Sequence, residues 1–222
     1  LAAADGPILV DPVFTTYAID TYAGDQGDVD AAYSNMDDGF TFVYEDEFSM
    51  TDYDIYSQTV SSSGAFVGGR YIDATNDNTY SPRVATVASQ NAQLFVYMRV
   101  RRNGYTDVAG RILNLSTGVT APEFIIDAGS ATRSCRSPDV GGQYSSTGSL
   151  FCVVWSRNYI GQDADPHAAL INAAGTISSS SAIEVTFNRS EERIEVSESA
   201  GDPTTVNRWN IAYATENVST GG

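Results

Sequence analysis

Four strand-like runs, each ending in an aromatic residue, recur along this chain of 222 residues at nearly constant spacing. They are Phe40-Thr41-Phe42-Val43-Tyr44, Leu94-Phe95-Val96-Tyr97, Phe151-Cys152-Val153-Val154-Trp155 and Trp209-Asn210-Ile211-Ala212-Tyr213. The final aromatics fall at 44, 97, 155 and 213, so the steps are 53, 58 and 58 residues. Self-similarity at such a period marks a repeat architecture, in which each unit is one supersecondary element that buries its faces against its neighbours.

The flanks repeat in phase. A short strand precedes each run: Asp28 to Ala31, Pro82 to Ala85, Pro138 to Val140 and Arg193 to Val196. After the first three runs a further strand opens at Asp54-Ile55-Tyr56, Asp107-Val108-Ala109 and Asp165-Pro166-His167. Hairpin turns are expected at Ser63-Gly64, Thr117-Gly118 and Ala174-Gly175, where glycine supplies the positive φ a tight turn needs. A last strand follows at 70–73, 124–127 and 182–185. No stretch has a helical period. Four short strands in about 50 residues is the pattern of a β-propeller blade.

The expected fold is therefore all-β, a β-propeller of four-stranded antiparallel blades. The expected boundaries are a half-blade at 1–26, blades at 27–75, 76–128 and 129–186, and a half-blade at 187–222. Ile8-Leu9-Val10-Asp11 and Tyr17-Ala18-Ile19-Asp20 resemble the third and fourth strands that the last unit lacks. Four blades result, the last completed by both termini, and closure of this kind removes open sheet edges. The same arithmetic admits a piece of a longer propeller, or half-blades that pair between neighbouring molecules.

The series P-x-V-A, F-V-x-W/Y, D-I/V and a glycine turn is carried by Pro82-Arg83-Val84-Ala85, Phe95-Val96-Tyr97, Asp107-Val108 and Gly118, and again around Pro138, Trp155 and Asp165. It resembles the propeller repeats of about 50 residues in large secreted and cell-surface proteins of bacteria. The resemblance covers nearly the whole chain and implies a fold and a surface location more than an activity. The S-x-D-x-G-x-x-W box of sialidase-like blades and the Trp-Asp dipeptide of WD-repeat blades are both absent.

Charge narrows the partners. The chain carries 28 acids against 12 bases, a formal charge of −16, and every base is arginine. The first base is Arg70, and 13 acids precede it. A nucleic-acid binder needs clustered cations, and an anionic membrane surface repels such a chain. No run is long and apolar enough to insert in a membrane. The opening Leu1-Ala2-Ala3-Ala4-Asp5 reads as the remnant beside a signal-peptide cleavage site. Cys135 and Cys152 are expected to form one disulfide in an oxidising compartment, with two free thiols buried as small apolar residues as the alternative. The sequons at Asn114, Asn188 and Asn217 fit an extracellular or cell-surface glycoprotein.

Three candidate sites emerge. Asp25, Asp28 and Asp30, with Gly27 between them, form an oxygen-rich loop of the kind that holds Ca²⁺, the candidate cofactor, the alternative being a solvated acidic rim that binds nothing. Tyr53, Tyr56, Tyr105 and Tyr159 lie in or near loops on one edge and are candidate contacts for carbohydrate or protein. Arg99, Arg101 and Arg102 form the basic cluster, expected to pair with the acidic first third within the molecule or across a self-assembly contact. Catalytic residues are not expected: there is no Gly-x-Ser-x-Gly elbow, and the only histidine, His167, follows Pro166 on a strand. The expected function is a secreted or surface-exposed, non-catalytic binding or structural module. The alternatives are the subunit of an extracellular filament joined head-to-tail through terminal strands and a propeller glycoside hydrolase or lyase.

Overall fold

The structure is a computed structural model that describes residues 18–19, 25–49, 52–159, 163–185, 189–199 and 208–217. It is all-β. The first unit is an antiparallel sheet of β1 (Gln26–Ser34), β2 (Gly39–Ser49), β3 (Asp52–Ser61) and β4 (Phe66–Asp73), in that order. The second holds β5 (Asn78–Val87), β6 (Ala92–Val100) and β7 (Thr106–Asn114), with β8 (Val119–Thr120) and β9 (Phe124–Asp127) both paired to β7. The third holds β10 (Arg133–Gly142), β11 (Leu150–Tyr159), β12 (Ala164–Asn172) and β13 (Ile177–Ala182). A hairpin of β14 (Arg189–Val196) and β15 (Ile211–Asn217) joins this third sheet through a single parallel pair, Ala164 with Ser190.

Each aromatic-ended run forms the second strand of its unit, as expected. The hairpin turns also fall where glycine marks them: Gly64, Gly118 and Gly175 have φ of +82°, +66° and +78°. The last strands expected at 70–73 and 124–127 form within β4 and as β9, and only the third departs from expectation. In the second unit β9 is split from β8, because Pro122 has no N–H to donate to the ladder. In the third unit it lies at Ile177–Ala182, five residues earlier than the expected start at Ala182. The closing strands expected within residues 1–20 lie outside the described residues, apart from Ala18 and Ile19.

The units stack face to face, and the alternation along β6 shows how. Leu94 and Val96 enter one core cluster with Cys135, Phe151, Val153 and Trp155 of the third unit. Phe95 and Tyr97 enter another with Val43, Ile55 and Ile72 of the first. Successive strand residues point to opposite faces, so a strand covered on both sides reads as the continuous apolar run that the sequence shows. A third cluster joins Cys152 and Val154 to Ile194, Trp209, Ile211 and Tyr213.

This packing corrects the expected disulfide. Both cysteines are buried free thiols. Cys135 stands opposite Arg157, whereas Cys152 stands opposite Gly141, six positions further along β10. Six residues of strand span about 20 Å, and a disulfide tolerates Cα atoms no more than about 7 Å apart.

Candidate functional site

The first strand of each unit packs against the first strand of the next. β1 lies against β5, β5 against β10, and β10 against β14. Glycine permits the closest approach: a Cβ on Gly142 would collide with the Thr86 carbonyl of β5, and one on Gly141 with the Ser197 carbonyl just past β14.

Each of these first strands carries a β-bulge at the same place. The register shifts between Gly27 and Asp30, Tyr80 and Arg83, Arg136 and Asp139, and Glu192 and Glu195. Within each bulge one non-glycine residue is left-handed: Asp28 at φ +39°, Ser81 at +51°, Ser137 at +49° and Arg193 at +54°. Such backbone costs about 1–3 kcal/mol per residue and concentrates at functional sites, and bulges re-aim side chains there. Neither glycine nor asparagine marks these positions. The recurring Ser-Pro of Ser81-Pro82 and Ser137-Pro138 is the signal that could have found two of them.

All four bulges converge on one pocket of about 500 Å³. Its charged lining is Asp28, Asp30, Arg83, Asp139, Arg193 and Glu195. A second cavity of about 260 Å³ adjoins it, sharing Ser137 and Arg193 and adding Arg136, Ser156 and Asn158. The lining is held by bonds between units. Asp30 Oδ2 accepts the Val84 amide at 2.8 Å, and Asp139 Oδ2 accepts the Val196 amide at 2.7 Å. The Ser81 hydroxyl donates to Asp28 at 3.0 Å, and the Ser81 amide to Glu45 at 2.7 Å.

Burial raises the pKa of Asp139, against the opposing pull of the Val196 and Val140 amides and of Arg83. Burial likewise raises Glu45. Glu198 lies just past β14; its stem is exposed, but its carboxyl turns in to accept the Gly142 amide at 2.7 Å. Burial of that carboxyl, with the charges of Asp139 and Asp30, brings it to about 7. The arrangement offers carboxylates that accept from hydroxyl groups and guanidinium groups that bind an anion. A volume of this size is typical of small-molecule sites.

The sequence-predicted residues are distributed differently. Asp25, Asp28 and Asp30 do not gather as a calcium loop: the Asp25 carbonyl accepts the Glu47 amide, while the other two carboxylates turn to Ser81 and Val84. Among the described residues no three His, Cys, Asp or Glu side chains assemble into a metal-binding group. The arginine cluster is also corrected. Arg99 and Arg101 each bond Asp107 at 2.9 Å, and Arg99 also pairs with Glu123 and Asp77, all beyond the acidic first third. Only Arg102 is left exposed.

The four tyrosines do not form one surface. Tyr56 sits in a sheet-face ladder between Tyr44 and Tyr71, at 5.7 and 4.9 Å between ring centroids. Tyr53 packs on Tyr80, Arg101 lies over the Tyr105 ring, and Tyr159 is half-buried at the end of β11. His167 is a core residue stacked on Trp155. Asn114 is exposed, with its side chain capping the Thr117 amide; Asn188 lies outside the described residues, and Asn217 ends β15.

No family model matches the sequence, and no curated protein matches it. Among solved structures the fold is similar to that of Hadza microbial sialidase Hz136, with a TM-score of 0.54 and 9 % sequence identity. The match covers 77 % of this chain and 39 % of that one, so this chain spans about two-fifths of the sialidase's length. The likeness lies in the backbone. The expectation of a non-catalytic chain is corrected to this extent: the fold is one that also occurs in an enzyme, so the fold gives that expectation no ground.

Proposed function

We propose that the chain is a four-unit β-propeller, its fourth unit completed by the N-terminal strands, that binds an acidic carbohydrate in the pocket where the four bulges meet. The convergence of four equivalent strained bulges on one polar pocket carries this reading. Arg83 and Arg193 suit the carboxylate of an acidic sugar, as guanidinium groups bind such anions through paired N–H donors. Asp28, Asp139 and Glu195 suit its hydroxyl groups, which need acceptors. An extracellular or cell-surface address fits such a ligand and the acidic, lysine-free surface.

A second reading, hydrolysis of a glycosidic bond in the same pocket, is favoured by the fold shared with a sialidase and by Asp139, a lining carboxyl that burial raises. Glycoside cleavage uses one protonated and one ionised carboxyl group flanking the scissile bond.

Both readings are tested on one panel of acidic and neutral sugars and their chromogenic glycosides. Binding of an acidic sugar, weakened at least about tenfold by Arg83→Ala or Arg193→Ala in proteins that melt as wild type does, is the expected result. Turnover of a glycoside that Asp139→Asn abolishes establishes the catalytic reading. A panel with neither binding nor turnover overturns both.

A further inference from the structure

Two positions after the buried aromatic of its second strand, each of the first three units places a residue directly opposite an aspartate of the third strand. The register pairs Arg99 with Asp107 in the second unit, Arg157 with Asp165 in the third, and Asp46 with Asp54 in the first. Residues opposed in this way share a face of the sheet, with Cβ atoms about 4.5–5.5 Å apart.

In the second unit the pair is ionic. Arg99 Nη2 lies 2.9 Å from Asp107 Oδ2, and Asp107 Oδ1 receives Arg101 at 2.9 Å and the Gly129 amide at 2.8 Å. In the third unit the Arg157 guanidinium bonds Asp127 at 2.6 Å. The first unit has no such group: no arginine or lysine precedes Arg70, and Arg70 reaches away to the Gly118 carbonyl.

Among the described residues no cation meets the acids at this place in the first unit. Asp54 is 5 % exposed, yet its Oδ1 has no hydrogen-bond partner, and the buried Oδ1 of neighbouring Asp52 has none either. Burial and then the charges of Asp52, Asp73 and Asp46 push Asp54 up to about 6. A buried carboxylate without a donor is costly, and an incoming cation with matching N–H groups relieves that cost. Across the strand, Asp46 Oδ2 accepts only the Tyr71 hydroxyl, at 2.9 Å, and Tyr71 is half-exposed. A divalent metal is poorly served, since it demands more oxygen ligands than these residues bring together.

We propose that Asp46 and Asp54 receive a guanidinium group carried by a ligand, in the place that Arg99 fills in the second unit. The planar fork of donors suits two carboxylates facing across a strand pair, and the exposed Tyr71 ring offers the aromatic surface on which such a cation rests. The site is separate from the pocket of the bulges and does not depend on the sugar-binding reading.

The test is a thermal melt of the full chain at pH 7.5 with agmatine, with the tripeptide glycyl-arginyl-glycine and with calcium chloride. Both guanidinium compounds should raise the melting temperature of the wild type and leave Asp54→Asn and Asp46→Arg unmoved. A stronger response to the tripeptide assigns the group to an arginine of a partner polypeptide; a stronger response to agmatine assigns it to a free small molecule. Asp46→Arg, which supplies the guanidinium within the chain, should itself melt about 2–4 °C higher than wild type. A lower melting temperature for Asp46→Arg, shifts as large in Asp54→Asn as in wild type, or a response to calcium alone would each overturn the proposal. If Asp46→Arg fails to fold, Asp54→Asn alone decides through loss or retention of the guanidinium shift.

Discussion

Asp30 on β1 accepts the backbone amide of Val84 on β5 at 2.8 Å, and Asp139 on β10 repeats that bond to Val196 on β14 at 2.7 Å. Arg83, at the equivalent place between them, has no acceptor to offer, so the carboxylate tie occurs at two of the three junctions described. Losing a charged acceptor that satisfies a part-buried amide costs about 1.5–3 kcal/mol. Asp30→Ala and Asp139→Ala should each lower the free energy of unfolding in urea by that amount. Asp30→Asn keeps an acceptor oxygen and should cost less than Asp30→Ala. Equal losses for the two Asp30 variants would show that the bond to Val84 is not what holds the junction.

Asp127 binds the second unit to the third. Its Oδ2 accepts Trp155 Nε1 and Arg157 Nε, both at 2.8 Å, and all three residues lie in or beside the core. Removing one partner of a buried pair leaves an uncompensated charge, at a cost of about 3–5 kcal/mol. Asp127→Ala should therefore destabilise more than Asp30→Ala. The double variant with Arg157→Met should recover part of the loss, because the guanidinium is then no longer stranded. Additive losses in that cycle would contradict the coupling.

Burial, assisted by Arg157, lowers His167 from its ordinary 6.5 to about 4, and its Nε2 is buried without a partner. The folded protein therefore holds a neutral imidazole at pH values where the unfolded chain is protonated. That contribution is intact above about pH 6.5 and is lost progressively as the pH falls to 4. Asp54, raised to about 6, has the opposite sign: the fold gains from its protonation as the pH falls from 6 toward the ordinary 3.8. Melting curves between pH 7.5 and 4 should show His167→Gln losing less stability on acidification than wild type, and Asp54→Asn losing more. Parallel curves for all three would refute both assignments.

The thiols give a direct chemical check on the strand register. Burial drives Cys135 well above the ordinary thiol range and Cys152 to about 12, so neither forms a reactive thiolate in the fold. Iodoacetamide should leave the native protein unlabelled, and without any reductant should add two carbamidomethyl groups in denaturant. An unlabelled mass after denaturation would establish a disulfide and move one strand.

What the sequence made legible followed from strand periodicity. The runs ending in Tyr97 and Trp155 alternate between two apolar neighbours, so burial on both faces leaves a plain apolar signature, and Gly64, Gly118 and Gly175 mark their turns by needing positive φ. The bulges were hidden, because Asp28, Ser81, Ser137 and Arg193 take left-handed backbone without the glycine that usually announces it. The pocket was hidden with them, since its lining is one short stretch from each unit, some 55 residues apart. Charge misled in another way. Arg99 and Arg101 look like a free basic patch in the sequence, but the residue eight positions on from Arg99 is Asp107, which the strand pairing brings directly across.

The central claim is that four equivalent bulges form one sugar-binding pocket, and backbone amide NMR of the labelled chain, titrated with the best-bound acidic sugar of the panel, tests it most directly. Shifts at residues 28–30, at 81 and 83, at 137 and 139, and at 193–195 that saturate together are the predicted result. Shifts confined to the loops around Tyr105 and Tyr159, or to one bulge with the other three unmoved, would contradict it.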